Sequence, residues 1–220
     1  MEPRHADLDT ERLKALAHPL RLRILGALRI TGPSTASRLA DQLDESSGLT
    51  SYHLRMLAAA GLVEEEPERG TRRDRWWRAA HDLSSFQSTD FDDTEGAPAA
   101  AWLESYGDRA REREAATWTA ERGDWSQAWR DAADRSDYYL LATADELHAL
   151  VTALHDTIQA ALATTIARRD GAAPIPGDAE HVRLHLLAFP MHEVAGVRVV
   201  PPTPGPARTP RTTVDDDDDG

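Results

Sequence analysis

The first thirty residues alternate apolar and polar positions with the period of a helix. An apolar residue recurs every three or four positions: Leu13, Leu16, Leu20, Ile24 and Leu28. That spacing is typical of a helix with one buried face. Because the residue before a proline avoids the helical backbone conformation, the His18-Pro19 pair divides residues 9–30 into two helices.

Two further helices and a hairpin are predicted to follow. A serine and a threonine at 34–35 offer an N-cap for a short third helix. The polar stretch 44–47 predicts a turn into a fourth helix, which ends where Gly61 supplies a C-terminal stop. Residues 62–65 and 75–78 read as strands, and the charged segment between them predicts a β-hairpin.

The rest of the chain changes character. Residues 84–98 are acidic and rich in turn residues, which favours a linker. Apolar stripes predict helices over 99–121 and 143–168, with a shorter one at 124–134, and the Thr143/Glu146 pair has the spacing of a capping box. Strands are expected at 138–141 and 181–189, and the strand-helix-strand order indicates a small α/β unit.

The C-terminal tail has a composition that cannot form a core. It is rich in proline and ends in five consecutive aspartates. Such a segment buries too little apolar surface to offset the entropy of ordering it, so residues 196–220 are predicted to be disordered.

The formal net charge of −13 argues against a nucleic-acid partner until its distribution is considered. Residues 1–80 hold 13 basic and 12 acidic residues, whereas the remaining chain holds 12 basic and 26 acidic ones. Five arginines lie between Arg69 and Arg78, with Asp74 the one acidic residue among them. Since salt screens charges beyond about 10 Å, this local excess of positive charge matters more to a polyanion than the total.

The fourth helix predicts a surface suited to a DNA groove. A helical projection places Thr50, Leu54 and Leu57 on one side and Gly48, Ser51, Tyr52 and Arg55 on the other. Small and hydroxyl-bearing side chains permit close approach to base edges, and arginine suits guanine or phosphate. Ser47 adds a hydroxyl at the helix start, where backbone N–H groups favour phosphate. A solvated helix face is the plain alternative, and for the helix alone it is equally good.

The hairpin that follows makes the DNA interpretation the stronger one. Its arginines are positioned to pair with phosphates beside a groove. The candidate DNA-contacting residues are Ser47, Gly48, Ser51, Tyr52, His53, Arg55, Arg69, Arg72, Arg73 and Arg75. His53 lies at the edge of the helix, and for this residue packing against the first helices is as good an interpretation as phosphate contact.

These segments carry a family resemblance. HPLRLRILGAL, then SRLADQLDESSGLTSYHLRMLAAAGLVEEE, then a basic hairpin ending in RWWRA resemble the winged helix-turn-helix of ArsR-type bacterial regulators over residues 11–80. The resemblance implies a homodimer that reads an inverted repeat in duplex DNA, usually as a repressor released by a signal. It also implies that Ser47, Gly48, Ser51 and Tyr52 face DNA.

The chain departs from the metal-sensing members of that family. It has no cysteine, so a thiolate metal site is excluded. Asp145, His148, His155 and Asp156 suggest the family's second metal site, but their spacing differs and ordinary surface or packing histidines are the better interpretation. No metal or other cofactor is therefore expected.

The aromatic residues leave one question open. Trp76 and Trp77 alternate faces on the returning strand, so one of them is expected in the core. Four further tryptophans lie beyond residue 100, and they fit either a hydrophobic core or dimer interface, which is commoner, or an effector pocket.

The sequence thus predicts a mostly helical α+β protein with four segments. Residues 1–83 form a winged helix-turn-helix domain, 84–98 a linker, 99–195 a helical or α/β region for dimerisation with a possible small-molecule effector, and 196–220 a tail. No catalytic motif and no apolar run of about 18 residues is present, so a cytoplasmic, non-enzymatic transcriptional regulator is expected. The rivals are a winged helix that contacts protein rather than DNA, and an enzyme housed in 99–200.

Overall fold

A computed structural model describes residues 2–69, 75–194 and 196–198. It is mostly helical with a small β content, as predicted, and the strands of the described residues form three small sheets. In chain order the elements are β1 (His5–Asp7), α1 (Thr10–Leu16), α2 (Pro19–Thr31), β2 (Ser34–Thr35), α3 (Ala36–Leu43), α4 (Ser47–Ala59), β3 (Val63–Glu65), β4 (Trp76–Ala79), β5 (Leu83–Ser85), α5 (Ala97–Glu121), α6 (Gln127–Ala132), α7 (Ala144–Arg169), β6 (Glu193–Val194) and β7 (Val197–Arg198).

The predicted break between the first two helices is confirmed. α1 ends at Leu16 and α2 begins at Pro19, the first position of a helix, where a missing N–H costs nothing. The Nδ1 atom of His18 accepts a hydrogen bond from the backbone N–H of Leu20 at 3.1 Å, so this histidine is the N-cap of α2. A short-range sequence signal therefore fixes the corner between the two helices.

The turn between α3 and α4 has the form of a helix-turn-helix. Asp44 adopts the left-handed conformation with φ of 55°, which aspartate tolerates better than most residues. Ser46 then caps α4, and its hydroxyl accepts a hydrogen bond from the backbone N–H of Leu49 at 3.2 Å. Gly61, with φ of 67°, ends α4 as predicted and turns the chain into β3.

The hairpin belongs to a three-stranded antiparallel sheet in the order β2-β4-β3. β4 pairs with β3 as the sequence predicts, and also with the two-residue strand at Ser34 and Thr35. Trp77 is buried against the helices and Trp76 is half-buried, with the Arg38 guanidinium 4.9 Å from the centre of its ring. Two-residue β2 was not predicted, because so short a strand has no periodicity.

The core lies almost entirely in the first hundred residues. Its largest fully buried side chains come from α1 to α4 and from the residue just before β3: Leu13, Ile24, Leu28, Leu39, Thr50, Leu54, Leu57 and Leu62. Burying one such leucine contributes about 1.5–3 kcal/mol. This core holds α4 in place against α1, α2 and α3.

Residues 84–98 pack onto this domain, although their composition predicted a linker. β1 and β5 form a parallel pair that joins the N-terminus to residues 83–85. Phe91, in a short 3₁₀ turn, is 8% exposed and lies in the core with Ala99 and Ala100 of α5. The many acidic residues here lie on the outside, so composition alone concealed a buried apolar anchor.

Beyond residue 100 the helices are as predicted and the strands are not. α5, α6 and α7 match the predicted segments, and Thr143 and Glu146 form the expected capping box at the start of α7. Residues 138–141 and 181–189, predicted to be strands, have no strand structure and are exposed, so the expected α/β unit is absent from these described residues. An apolar run alone could not supply the partner strand that a sheet requires.

The described residues up to 185 form one compact unit, and those from 186 onward form a second. Within the second unit, the described structure is the β6–β7 pair. The predicted disordered tail lies outside the described residues except for 196–198.

Candidate nucleic-acid interface

α4 divides into the two faces that its sequence predicts. Thr50, Leu54 and Leu57 have no measurable exposure and pack against α1, α2 and α3. On the other side Ser47, Gly48 and Arg55 are exposed, Tyr52 is 50% exposed and Ser51 is half-buried. A helix held by one wholly buried face presents the other as a rigid surface, which is what insertion into a groove requires.

His53 does not belong to this exposed face. It is 4% exposed, and its ring lies 4.4 Å from that of His18, centre to centre. Burial, and then the neighbouring His18 and Arg21, lower the pKa of His53, which favours the neutral ring. The packing interpretation is therefore the one that the structure supports, and His53 is removed from the candidate DNA-contacting residues.

The exposed face of α4 also carries two apolar side chains that sequence reasoning missed. Leu49 is 41% exposed and Met56 is 39% exposed, on either side of Tyr52. The spacing of three and four residues from Leu49 to Tyr52 and from Tyr52 to Met56 was the available signal, but the helical projection assigned neither apolar residue to a face. Apolar side chains on a groove-facing helix suit contact with the methyl group of thymine.

The base of the hairpin is less positive than its arginine count implies. Arg75 lies 3.0 Å from Glu65, Arg69 lies 3.3 Å from Glu66, and Arg78 lies 2.9 Å from Glu64. Arg75 and Arg69 were predicted to contact phosphate, and both are exposed enough to exchange partners, with 70% and 54% of their side chains accessible. Phosphate contact there has to compete with a glutamate.

The tip of the hairpin, residues 70–74, lies outside the described residues. Two of the candidate residues, Arg72 and Arg73, are in that segment. Their role as phosphate contacts remains a prediction from the sequence.

Within one chain the acidic and histidine residues of α7 are not placed to hold a metal ion together. His148, His155, Asp145 and Asp156 are all exposed on that helix. Within the described ranges no group of three or more histidine or carboxylate side chains is placed to hold a metal ion.

The aromatic residues beyond residue 100 do not gather into one core. Trp102 and Tyr106 stack along α5 with ring centres 5.0 Å apart. Trp118, Trp125 and Trp129 form a separate chain of contacts, at 6.4 Å and 6.3 Å between successive rings. In the described part of the chain these rings therefore form two separate clusters rather than one hydrophobic core, and their use in a dimer interface or an effector pocket stays a prediction.

The end of α7 is anchored to the winged domain by a buried ion pair. Asp82, whose side chain is 4% exposed, accepts a hydrogen bond from Nη2 of Arg169 at 3.0 Å. The same carboxylate accepts bonds from the backbone N and the Nε of Arg4, at 2.9 and 3.3 Å. Ile166, one turn earlier on α7, is 2% exposed. The C-terminal end of α7 is thus fixed beside the segment that joins β4 to β5.

Arg29 lies next to this network without touching the carboxylate. It donates from Nε to the backbone oxygen of His81 and from Nη2 to the hydroxyl of Ser84. Burial lowers the pKa of Arg29 to about 10, against the attraction of Asp82. The guanidinium remains charged at neutral pH and adds positive charge beside Asp82.

Comparison with known proteins agrees with the N-terminal fold. A family model described as a helix-turn-helix domain matches residues 16–66, which run from the end of α1 to just past β3. The chain contains a helix-turn-helix domain. With the three-stranded sheet described above, the domain is a winged helix-turn-helix.

The other comparisons add little. No curated protein matches the chain. A solved structure described as "Structure of Disulfide formed AbfR" is similar over 51% of this chain and 78% of that chain, at 17% identity and a TM-score of 0.28. A TM-score this low does not establish a shared fold. No helix among the described residues is both long and apolar enough to cross a membrane.

Proposed function

We propose that the protein is a transcriptional regulator that binds duplex DNA through the exposed face of α4 and the β3–β4 hairpin. The observation that carries this proposal is the division of α4 into a face without exposure and a polar face bearing Tyr52 and Arg55. The helix-turn-helix match over residues 16–66 supports it.

In the proposed complex α4 enters the major groove. Arg55 contacts a guanine or a phosphate, and Ser51 approaches a base edge closely because its side chain is small. The N-terminus of α4, with Ser47 and Gly48 exposed, faces a phosphate that its free N–H groups stabilise. Arg72 and Arg73 add phosphate contacts from the hairpin tip.

We further infer a homodimer of ArsR type that reads an inverted repeat and acts as a repressor. The apolar stripe of α7 supports the dimer: Leu150 and Leu154 are 41% and 38% exposed, and of the whole helix only Ile166 is buried within the described residues. A stripe of that length on one 26-residue helix is suited to pack against its counterpart in a second copy. The same proposal assigns DNA binding to residues 1–83 and dimerisation to residues 99–195. It also includes a cytoplasmic location and the lack of catalytic activity.

Selection of bound duplexes from a random pool, followed by a salt series on the selected duplex, tests DNA binding. Affinity is expected to fall steeply as salt rises, because each neutralised phosphate releases counterions. Replacing Arg72 and Arg73 by alanine is expected to flatten the slope of log affinity against log salt by about two. No enrichment of any sequence, or a slope near zero, contradicts the proposal.

A second candidate function is a winged helix that contacts protein. The pairing of the hairpin arginines with Glu64, Glu65 and Glu66 favours it, since those pairs neutralise the base of the wing. The salt series separates the two candidates, because a protein-contacting winged helix shows no phosphate-dependent slope on duplex DNA.

Sedimentation tests the dimer separately. The full chain is expected to be a dimer at micromolar concentration, and the Leu150→Glu/Leu154→Glu variant, which places charge on the exposed stripe of α7, is expected to be monomeric. A variant that dimerises as tightly as the parent chain contradicts the assignment of the interface to α7.

A further inference from the structure

The Trp125–Trp129 cluster lines a groove that the DNA-binding proposal does not use. The groove has a volume of about 620 Å³, within the range of small-molecule sites. Its walls come from the end of α5, the start of α6 and the turn that follows α7. Its lining residues are Glu121, Asp124, Trp125, Ser126, Trp129, Asp178 and Glu180.

The aromatic part of the groove has a shape that suits a ring-bearing ligand. The rings of Trp125 and Trp129 lie 6.3 Å apart and meet at 66°. Two half-buried indole rings set at that angle form a corner, so one ligand can contact both. The Trp118 ring lies 6.4 Å from that of Trp125 and extends the aromatic cluster.

The charge of the groove selects the sign of its ligand. Four of its lining side chains are carboxylates, and among the described residues none of those lining it is basic. The face of a tryptophan ring also attracts positive charge, through its quadrupole. The carboxylates and the tryptophan faces therefore both favour a cation over an anion.

A metal ion is a poor candidate for this groove. Metal ligation needs three or more oxygen or nitrogen atoms converging on one point, and within the described ranges no histidine or carboxylate group is so placed. A metal would also leave the tryptophan rings without a function, whereas an organic cation uses both features.

We propose that this groove binds an aromatic organic cation. Its delocalised positive charge lies against the indole faces and its outer rim faces Glu121 and Asp124. The inference does not depend on DNA binding, because the groove and the exposed face of α4 share no residue. If the protein regulates transcription, such a cation is a candidate effector.

Calorimetric titration of the full chain with three probes tests the proposal. Tetraphenylphosphonium is expected to bind with a Kd on the order of 1–100 μM. Tetraphenylborate has the same shape and the opposite charge, and spermidine is a cation without rings, so both are expected to bind at least tenfold more weakly. Equal binding of the borate overturns the charge argument, and equal binding of spermidine overturns the aromatic one.

Matched variants locate the site. The Glu121→Gln/Asp124→Asn double variant keeps side-chain shape and is expected to weaken tetraphenylphosphonium binding about tenfold. Glu104→Gln/Glu112→Gln, which removes the same charge from exposed positions of α5 outside the groove, is expected to change binding less than twofold. Equal effects of the two variants, or no effect of the first, refute the site.

A further variant tests the aromatic contact. Trp129→Leu is expected to weaken binding of tetraphenylphosphonium at least fivefold. Because this change can also loosen α6, its circular dichroism is compared with that of the parent chain. The charge variants lie on the surface and decide the question even if this one misfolds.

Discussion

Replacement of Asp82 by asparagine is the sharpest test of how α7 is attached to the winged domain. Asp82 accepts hydrogen bonds from Arg4 at the N-terminus and from Arg169 at the end of α7, and its side chain is almost fully buried. Asparagine has the same volume and keeps one acceptor oxygen. The change therefore removes the charge and about half of the accepting capacity without creating a cavity.

The expected loss of unfolding free energy depends on whether the two arginines that bond Asp82 can be hydrated instead. The Arg4 side chain is 38% exposed and can be resolvated, whereas that of Arg169 is only 11% exposed. Breaking a buried ion pair by removing one partner costs about 3–5 kcal/mol. Arg169 keeps its bonds to Asp170 and to the backbone oxygen of Arg29, so the lower end of that range is expected, at about 3 kcal/mol of unfolding free energy.

Asp170 offers a matched control on the same arginine. Its carboxylate lies 2.8 Å from Nε of Arg169, but its side chain is 34% exposed. Pairs near the surface contribute about 0–1 kcal/mol, so Asp170→Asn is expected to cost less than about 1 kcal/mol. Urea unfolding followed by far-ultraviolet circular dichroism at pH 7 measures both variants.

The dependence of stability on pH provides a second test of the role of Asp82. Burial alone raises the pKa of Asp82, but the hydrogen bonds from Arg4 and Arg169 together outweigh it and the net pKa is lowered. The contribution of Asp82 to stability is therefore complete above about pH 4 and is lost as pH falls through the folded pKa. The difference in unfolding free energy between the parent chain and Asp82→Asn is expected to become smaller as the pH falls through that range. A cost below about 1 kcal/mol at pH 7, or equal costs for the two variants, refutes the reasoning.

Three further predictions concern α4 and the hairpin. Tyr52→Ala is expected to cost about 1–3 kcal/mol on a selected duplex and less on random DNA by fluorescence anisotropy, and equal losses on both mean that the side chain positions the protein without reading sequence. Glu65→Gln releases Arg75 and is expected to tighten duplex binding at low salt and steepen the salt slope by about one, whereas unchanged affinity shows that Arg75 does not reach phosphate. Burial and neighbouring basic groups hold the pKa of His18 and His53 below 6.5 in the folded protein. The unfolded chain therefore takes up protons at a higher pH than the folded protein does. The free energy of unfolding is expected to be highest above about pH 6.5 and to fall as the pH is lowered from there. Thermal melts across that range are expected to show a shallower fall for His53→Gln, and parallel curves contradict the coupling.

The sequence by itself determined the local architecture of this protein. Helix limits at His18-Pro19, Ser46, Gly61 and Thr143 depend on contacts between residues two to five positions apart, and such signals are complete in a short stretch of chain. The two faces of α4 followed from helical period alone, because the buried set and the exposed set are chemically distinct. The order of the four helices and the hairpin in the winged helix-turn-helix could therefore be predicted from the sequence.

Only the tertiary structure decided the environment of individual polar groups. His53 has the sequence spacing of an edge residue, but the His18 ring, 35 positions earlier, covers it. The sequence alone shows Arg75 as a cation without a partner, but in the folded protein it forms an ion pair with Glu65 across the hairpin. Asp82 meets Arg4 and Arg169 across 78 and 87 positions of sequence.

The same reason explains what was mispredicted beyond the first domain. Residues 138–141 and 181–189 have the composition of strands, but a strand exists only where another segment pairs with it, and no periodicity within one segment reports that partner. Residues 84–98 have the composition of a linker, but a single buried ring at Phe91 attaches them to the core. Local order is encoded in neighbouring residues, whereas burial and pairing depend on what the folded chain brings from elsewhere.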